Sequence, residues 1–261
     1  MDIRIIVATH KRYEMPCDSM YIPIHVGREK ASDIGYMGDN TGENISNKNQ
    51  YYCELTGLYW GIKNIECDYI GLVHYRRHFS SGKLINKLKK NKFDVILSVT
   101  EAENILKNHD IILPKRRKYY IETLYSHYAH THYAEHLDKT REIILEFYPD
   151  YIRDFDYVMK KRSGHMFNMF IMKKELADEY CSWLFNILAK LEEKIDISEY
   201  DPFQARLYGR VSELLLNVWI SNKNLNYKEI PHIHMEKINW INKGGSFIRA
   251  KFSNRKFQGS F

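Results

Sequence analysis

One short run near the start of the chain constrains the fold most strongly. Residues 3–8 are rich in β-branched side chains, and the polar residues Thr9, His10 and Lys11 follow them at once. Such a run is typical of a buried parallel strand. Ligands of open α/β sheets bind beyond the carboxyl ends of these strands. The run therefore predicts an α/β sheet and places Thr9, His10 and Lys11 at a binding site.

Similar strand and helix patterns recur along the chain. We predict further strands at residues 69–74, 93–99, 110–113 and 166–172, and helices at 51–65, 138–147, 150–162, 173–191 and 202–220. Residues 12–49 predict a long loop, because they are rich in Gly, Asp and Asn. The order of strands and helices indicates a sheet with helical crossovers. We therefore expect one α/β domain with a mixed sheet, flanking helices and a helical C-terminal half.

Charge and cysteine content narrow the class of protein. The 261 residues carry a formal net charge of +6, which favours a phosphorylated ligand, an acidic membrane surface or a nucleic acid. We expect no nucleic acid, because the basic residues are spread over separate segments without a recognisable motif. Four cysteines without a C-x-x-C pair argue against structural zinc and favour a reducing cytoplasm. The sequence suggests neither a signal peptide nor a membrane-spanning segment.

A basic cluster ends the strand predicted at residues 69–74. It reads His74-Tyr75-Arg76-Arg77. Two guanidinium groups and an imidazole at a strand end can bind a diphosphate, because arginine offers paired donors that match phosphate oxygens. We assign His74, Arg76 and Arg77 to diphosphate binding. The alternative is a solvated basic turn.

A carboxylate on the last predicted helix is the candidate general base. Glu213 lies within two turns of Arg206 and Arg210 on the helix predicted at 202–220. A carboxylate there can take a proton from a hydroxyl, and it can equally serve as a structural ion-pair partner. Asp201 is the second choice as base and is also a candidate helix cap.

Three histidines and three tyrosines are packed into residues 125–133. His127 and His130 have a spacing that places them on one face of a helix. A Lys-Arg-Arg-Lys run lies just upstream, so we favour contact with an anionic ligand over a metal site. A solvated aromatic surface is the alternative.

Long segments of the chain, taken together, are similar to one known family. The chain resembles the bacterial capsular and exopolysaccharide glycosyltransferases catalogued as domain of unknown function 4422. The matching segments cover most of the chain as far as Ile220, and they read IIVATHKRYEMP, YIPIHVG, GDNTGENISNKNQYYCELTGLYW, DYIGLVHYRRHF, IILPKRRKYYIETLYSHYAH, HMFNMFIMKKELADEYCSWLF and DISEYDPFQARLYGRVSELLLNVWI.

The resemblance implies a GT-A-like glycosyltransferase with a Rossmann-type sheet. It implies a nucleotide-sugar-binding half at about residues 1–114, an acceptor-binding and catalytic half at about 115–240, and a basic tail at 241–261. The implied donor is a UDP-sugar, with UDP-galactofuranose as one candidate. The implied acceptor is a growing capsular, exopolysaccharide or O-antigen glycan, lipid-linked at the inner face of the membrane. The resemblance implies that Thr9, His10 and Lys11 hold the nucleotide. The residues expected on the acceptor side are His127, His130, Asn168, Gln204 and Arg206.

Metal dependence is where this sequence departs from the pattern. Many GT-A enzymes carry an Asp-x-Asp metal motif where this chain has His74-Tyr75-Arg76. We therefore assign no metal ligand and expect basic side chains to neutralise the diphosphate, with Mn²⁺ or Mg²⁺ as the alternative. A non-catalytic nucleotide- or carbohydrate-binding module is the rival function. The basic segment at 83–92 and the tail are candidates for contact with an anionic membrane.

Overall fold

The structure, a computed structural model, describes residues 1–82 and 91–236. Within them a nine-stranded mixed sheet forms the centre of the molecule, and a two-stranded sheet lies apart from it. The large sheet contains β1 (Ile3–Thr9), β2 (Tyr21–His25), β3 (Met37–Gly38), β4 (Tyr69–His74), β5 (Arg77–Phe79), β6 (Ile111–Pro114), β9 (Phe170–Lys173), β10 (Tyr227–Ile230) and β11 (His232–His234). The small sheet pairs β7 (Arg117–Lys118) with β8 (Ser163–Gly164).

Parallel pairing brings several strand ends to one edge of the large sheet. The main path runs β10-β6-β9-β4-β1-β2-β3. β1 pairs in parallel with β2 and β4, so that Thr9 lies opposite His25 and Ala8 lies opposite His74. β9 is antiparallel to both of its neighbours, β4 and β6. The polar residues that follow β1 and β4 therefore meet at one carboxyl edge, as the sequence predicts.

Helices cover both faces of the sheet. They are α1 (Asn49–Tyr52), α2 (Leu55–Asn64), α3 (Val99–Leu106), α4 (Leu124–Thr131), α5 (Glu135–Phe147), α6 (Ile152–Met159), α7 (Lys174–Lys194) and α8 (Leu207–Lys223). Ile6 and Ala8 of β1 join the larger core with α2, α7 and α8, whereas Ile5 and Val7 join a smaller core with α3. This alternation follows from the pleat of the strand. Among the described residues, no helix is both long and apolar enough to cross a membrane.

Most of the strongly periodic elements lie where the sequence predicts them. The predictions of β1, β4, β6, α5 and α7 are confirmed to within a few residues. The helix predicted at 202–220 begins only at Leu207, after a 3-10 turn at Gln204–Arg206. Asp201 caps this approach, as predicted, by accepting the backbone N–H groups of Phe203 and Gln204 at 2.8 and 3.0 Å.

Three predicted elements differ from the structure, each for a local reason. The supposed loop at 12–49 contains β2, whose central Pro23 lowers the strand signal because proline lacks an N–H donor. The strand predicted at 93–99 is a 3-10 turn, Lys92–Val95, followed by the start of α3. The helix predicted at 51–65 is broken at Cys53, whose φ of 54° ends α1. The basic segment at 83–92, apart from its last two residues, and the tail at 241–261 lie outside the described residues.

Candidate active site

A cleft with two lobes opens at the carboxyl edge of the sheet. The distal lobe encloses about 1020 Å³, counted out to open solvent, and the proximal lobe about 900 Å³. His10, Asn49 and Gln50 line only the proximal lobe. The residues that line only the distal lobe include Arg77, Arg117, Tyr119, His127, Arg210 and Glu213. The junction residues, which line both lobes, are Cys53, Glu54, His74, Arg76 and Arg206.

Glu213 is held in place by the chain that leads into β9. Its Oε2 accepts the backbone N–H of Phe167 at 3.0 Å. Burial raises the pKa of Glu213, and the neighbouring Glu54 raises it further, while Arg77 and Arg210 act in the opposite direction. A carboxylate with these neighbours is a stronger base than an exposed glutamate and is fixed in orientation.

The second carboxylate of the cleft, Glu54, is held by a sharp bend in the same segment, at Phe167 and Asn168. Phe167 and Asn168 both have positive φ, 76° and 53°, a region that ordinary residues rarely adopt. Asn168 is 2% exposed, and its Nδ2 donates to Glu54 Oε1 at 2.9 Å and to the carbonyl of Gly209 at 3.0 Å. Its Oδ1 accepts the hydroxyl of Ser212 at 2.9 Å. The strained bend therefore positions Glu54 and Glu213 together.

His74 is neutral and has a defined tautomer. Burial and the positive charges of Arg76 and Arg77 lower the pKa of His74 to about 2. Its Nδ1 lies 3.3 Å from the backbone N–H of Arg76 and accepts from it. This hydrogen bond assigns the ring proton to Nε2. His74 therefore has one N–H donor available at the junction of the two lobes.

The guanidinium groups of the distal lobe lie on aromatic rings. The guanidinium carbon of Arg77 is 4.2 Å from the ring centre of Phe167, and that of Arg210 is 4.2 Å from the ring centre of Phe203. Arg117 lies 5.1 Å from the ring centre of Tyr119. These contacts are cation–π interactions between the guanidinium groups and the rings.

The family model described as a domain of unknown function (DUF4422) matches residues 4–224. The chain belongs to this family. No curated protein matches the chain. A solved apo structure of the WbbM bifunctional glycosyltransferase is 28% identical and superposes with a TM-score of 0.83. The match covers 91% of this chain and 46% of that chain, so the DUF4422 chain spans about half the length of that protein. The fold is thus that of a glycosyltransferase, and the central sheet and flanking helices predicted from the sequence are confirmed.

The predicted nucleotide-binding residues are brought together only in part. His10 lines the proximal lobe, and His74, Arg76 and Arg77 line the distal lobe or its junction. Thr9 is fully buried, and its hydroxyl donates to the carbonyl of Lys11 at 2.6 Å, so it shapes the turn. Lys11 Nζ pairs with Glu236 at 3.1 Å instead of lining either lobe.

The predicted acceptor residues also separate into two groups. Arg206 and His127 line the cleft. His130 lies outside the lining, and Nδ1 of each histidine lies 2.7 Å from a Glu122 oxygen. Gln204 uses both ends of its amide inside the protein, with its Oε1 2.9 Å from His132 Nδ1 and its Nε2 donating to the carbonyl of Thr131. Asn168 is likewise fully hydrogen-bonded within the protein, so Asn168 and Gln204 position other groups.

Sequence reasoning did not select Glu54, Arg117 or His132 as site residues. Glu54 reads as part of a continuous helix, and only the break at Cys53 directs it into the cleft. Arg117 belongs to a basic run that has no clear period. His132 is one of several closely spaced histidines, and burial lowers its pKa to about 3, with a further effect from Arg210. None of the three has a local signal that separates it from its neighbours.

The cleft does not suit a divalent metal. In the described ranges, 1–82 and 91–236, no group of three or more His, Cys, Asp or Glu side chains could hold a metal ion. At the end of β4, the guanidinium groups of Arg76 and Arg77 would repel a cation. The described residues of the cleft therefore do not fit Mn²⁺ or Mg²⁺.

Hydrogen bonds to the buried Asp39 account for the conformation of the polar loop at residues 38–45. Asp39 is fully buried and accepts the backbone N–H groups of Gly27 and Arg28 at 3.0 and 3.1 Å. Its Oδ1 also accepts the hydroxyl of Ser46 at 2.5 Å. A carboxylate with three donors folds a loop and has little capacity left for a ligand.

Proposed function

We propose that this DUF4422 protein is a glycosyltransferase that moves a sugar from a nucleotide-sugar donor to a saccharide acceptor. The observation that carries the proposal is the fixed, half-buried Glu213 in a cleft rich in arginine. Sugar transfer needs both features, because a hydroxyl must lose a proton while a nucleoside diphosphate leaves with additional charge. The likeness to WbbM, which is described as a bifunctional glycosyltransferase, supports the same conclusion.

In this proposal the donor diphosphate lies where the two lobes meet. Arg76 and Arg206 line both lobes there, and Arg77 joins them from the distal side. Their charges offset the charge that develops on the diphosphate as the bond from the sugar to its oxygen breaks. The Nε2 proton of His74 adds a neutral hydrogen-bond donor. The nucleoside extends into the proximal lobe towards His10.

The acceptor hydroxyl approaches from the distal lobe. Its oxygen forms the new bond to the anomeric carbon of the sugar, and its proton passes to Glu213. The nucleoside diphosphate leaves with the electron pair of the broken bond. Asp201, the second candidate base, is exposed and caps a turn outside the cleft lining, so the role of base rests on Glu213.

The finer identity of the substrates rests on the family resemblance. We propose UDP as the nucleotide, with galactofuranose as one candidate sugar. We propose a capsular, exopolysaccharide or O-antigen glycan as the acceptor, lipid-linked at the cytoplasmic face of the membrane. Contact with anionic lipid is part of this proposal and predicts salt-sensitive sedimentation with anionic liposomes.

Calorimetric titration tests the donor proposal directly. We expect UDP to bind in preference to GDP and CMP, with and without Mn²⁺, and Arg76→Gln to weaken UDP binding. Hydrolysis of a UDP-sugar panel then tests catalysis, with Glu213→Gln as the inactive variant. Binding without any turnover would favour a non-catalytic module. Absence of binding to all three nucleotides would refute the nucleotide-sugar donor.

A further inference from the structure

Two large apolar side chains lie next to each other on the surface just after β7. Tyr120 is 76% exposed and Ile121 is 73% exposed. Single apolar side chains are common on protein surfaces, whereas adjacent ones that are almost fully exposed mark a contact with another partner. We call Tyr120 and Ile121 the apolar tip.

The backbone holds the apolar tip in a conformation that tyrosine rarely adopts. Tyr120 has a φ of 57°, and the N–H of Ile121 donates to the carbonyl of Tyr119 at 2.6 Å, which closes a three-residue turn. Arg162 Nη1 donates to the carbonyl of Tyr120 at 3.2 Å, and the N–H of Tyr119 donates to the carbonyl of Arg162 at 2.8 Å. A bulky residue in the left-handed region is strained, and such strain is concentrated at functional sites.

Basic residues flank the apolar tip on both paired segments. Residues 115–121 and 157–165 pair through β7 and β8, and neither segment contains an acidic residue. Lys-Arg-Arg-Lys precedes the tip at 115–118, and Lys-Lys-Arg lies beside it at 160–162. Lys118, Lys160 and Arg162 have exposed side chains. The surface around the tip therefore combines apolar and positively charged groups.

The acidic residues beside these segments, within the described part of the chain, already have partners. They are Glu122, Asp156 and Glu229, which contact His127 and His130, Arg141, and Arg116 respectively. Arg141 lowers the pKa of Asp156, and Lys160 has a smaller effect in the same direction. Glu122 is also buried, so it adds little negative charge to the surface.

The apolar tip adjoins the lobe in which we place the acceptor. Tyr119, the neighbour of Tyr120, lines the distal lobe, and so does Arg117. Side chains alternate between the two faces of a strand, so Lys118 faces away from this lobe. A bilayer in contact with the tip would therefore lie close to the lobe that receives a lipid-linked acceptor.

We propose that the apolar tip and its basic neighbours dock the protein on an anionic lipid bilayer. Tyr120 and Ile121 enter the headgroup region, and the exposed cations at 118, 160 and 162 contact lipid phosphates. The proposal rests on the membrane contact in the proposed function and names the surface that makes it. Two side chains offer too little apolar area for a stable protein interface, which buries about 800 Å² on each partner.

Sedimentation of the full chain with lipid vesicles tests the proposal. One set of vesicles contains equal amounts of phosphatidylglycerol and phosphatidylcholine, and the other contains phosphatidylcholine alone. We expect binding to the anionic vesicles that weakens as NaCl is added, and much weaker binding to the neutral ones. Absence of binding to the anionic vesicles would overturn the proposal.

Two double variants then assign the surface. Tyr120→Asn with Ile121→Ser removes the apolar side chains, and asparagine tolerates the left-handed turn. This variant should weaken binding to anionic vesicles about 10-fold or more. Lys118→Gln with Lys160→Gln should weaken it about 25-fold, which is about fivefold for each charge. Binding that neither double variant weakens would place the contact elsewhere in the chain and refute the apolar tip.

Matched controls separate this surface from general effects. Leu145→Ser removes an exposed apolar side chain on α5, and Lys107→Gln removes an exposed charge at the end of α3. Neither should change vesicle binding. Ile121→Trp enlarges the apolar tip and should tighten binding, a gain that loss of folding cannot produce.

Two measurements without lipid separate the remaining outcomes. If light scattering shows self-association that Tyr120→Asn with Ile121→Ser abolishes, and vesicles do not bind, the tip is a protein interface and the proposal is refuted. Titration with UDP should give the same affinity for this double variant and for the wild type. Vesicle binding that depends on the tip supports the proposal even if UDP does not bind. UDP binding without vesicle binding refutes the docking surface and leaves the donor proposal intact.

Discussion

Lowering the pH from 7 to 5 should destabilise the protein through histidines that are buried in the neutral form. His78 on β5 is fully buried, with the ring of Tyr21 edge-on at 5.7 Å. Burial lowers the pKa of His78 to about 4. His132 is 6% exposed, and burial with the charge of Arg210 lowers its pKa to about 3. In the unfolded chain both rings titrate near the ordinary value of about 6.5.

The size of the effect follows from these pKa values. Below about pH 6.5 the unfolded chain takes up protons that the folded protein excludes, so stability falls as pH falls. Each histidine contributes up to about 1.4 kcal/mol per pH unit, which integrates to about 2 kcal/mol between pH 7 and pH 5. His78 and His132 together account for about 4 kcal/mol. Domains are typically stable by about 5–15 kcal/mol, so unfolding should become easy near pH 5.

Urea unfolding followed by circular dichroism at pH 7, 6 and 5 measures this dependence. His78→Gln and His132→Gln should each reduce the loss of stability between pH 7 and 5 by about 2 kcal/mol. The test uses this difference, because either variant can also change stability at pH 7. His130→Gln removes an exposed ring and should leave the contribution of the two buried rings intact. A free energy of unfolding that is flat between pH 7 and 5, or variants that keep the full loss, would refute the reasoning.

Three other predictions concern the cleft. Glu213→Gln should lower kcat about 10²- to 10⁴-fold with little change in UDP affinity; near-normal turnover of a UDP-sugar would contradict this. The wild-type profile of kcat/KM should lose activity as pH falls through a pKa above the ordinary glutamate range, because burial raises the pKa of Glu213, and circular dichroism at each pH separates this loss from unfolding; activity that stays constant down to the pH at which the protein unfolds would contradict this role of Glu213. Asn168→Ala should cost about 3 kcal/mol or more in urea unfolding, since it removes three hydrogen bonds and leaves alanine at φ 53°. Ser212→Ala, which removes only one of the three bonds to Asn168, should cost about 1 kcal/mol, and equal losses would show that the bend does not depend on Asn168.

The sequence predicts those parts of the fold whose signal is local and periodic. β1 and β4 are short apolar runs that end in polar residues, and the spacing of Glu213 relative to Arg206 and Arg210 places them on one side of α8. Elements whose bounds depend on a single unusual residue are not predicted by such local patterns. Pro23 weakens the strand signal of β2 in the sequence, although pairing with β1 stabilises this strand in the structure.

Much of the candidate site depends on contacts between distant segments. Glu54 is within hydrogen-bond reach of Asn168, 114 residues away, and no pattern around Glu54 indicates this partner. The pairing of His127 and His130 with Glu122 is more local, at separations of five and eight residues. The sequence around these histidines is nevertheless equally consistent with contact to a ligand. Only the structure shows that both rings contact Glu122.

The left-handed bend at Phe167–Asn168 couples the positions of the two carboxylates of the cleft, Glu54 and Glu213. Phe167 holds Glu213 through its backbone, and Asn168 holds Glu54 through its side chain. A change in the backbone conformation of this bend would move the partners of both acids at once. Substitutions that alter substrate preference should therefore be found among the arginine and aromatic residues that line the cleft, because each of these can change separately. Substitutions in the bend should be tolerated less, because they disturb the alignment of both acids.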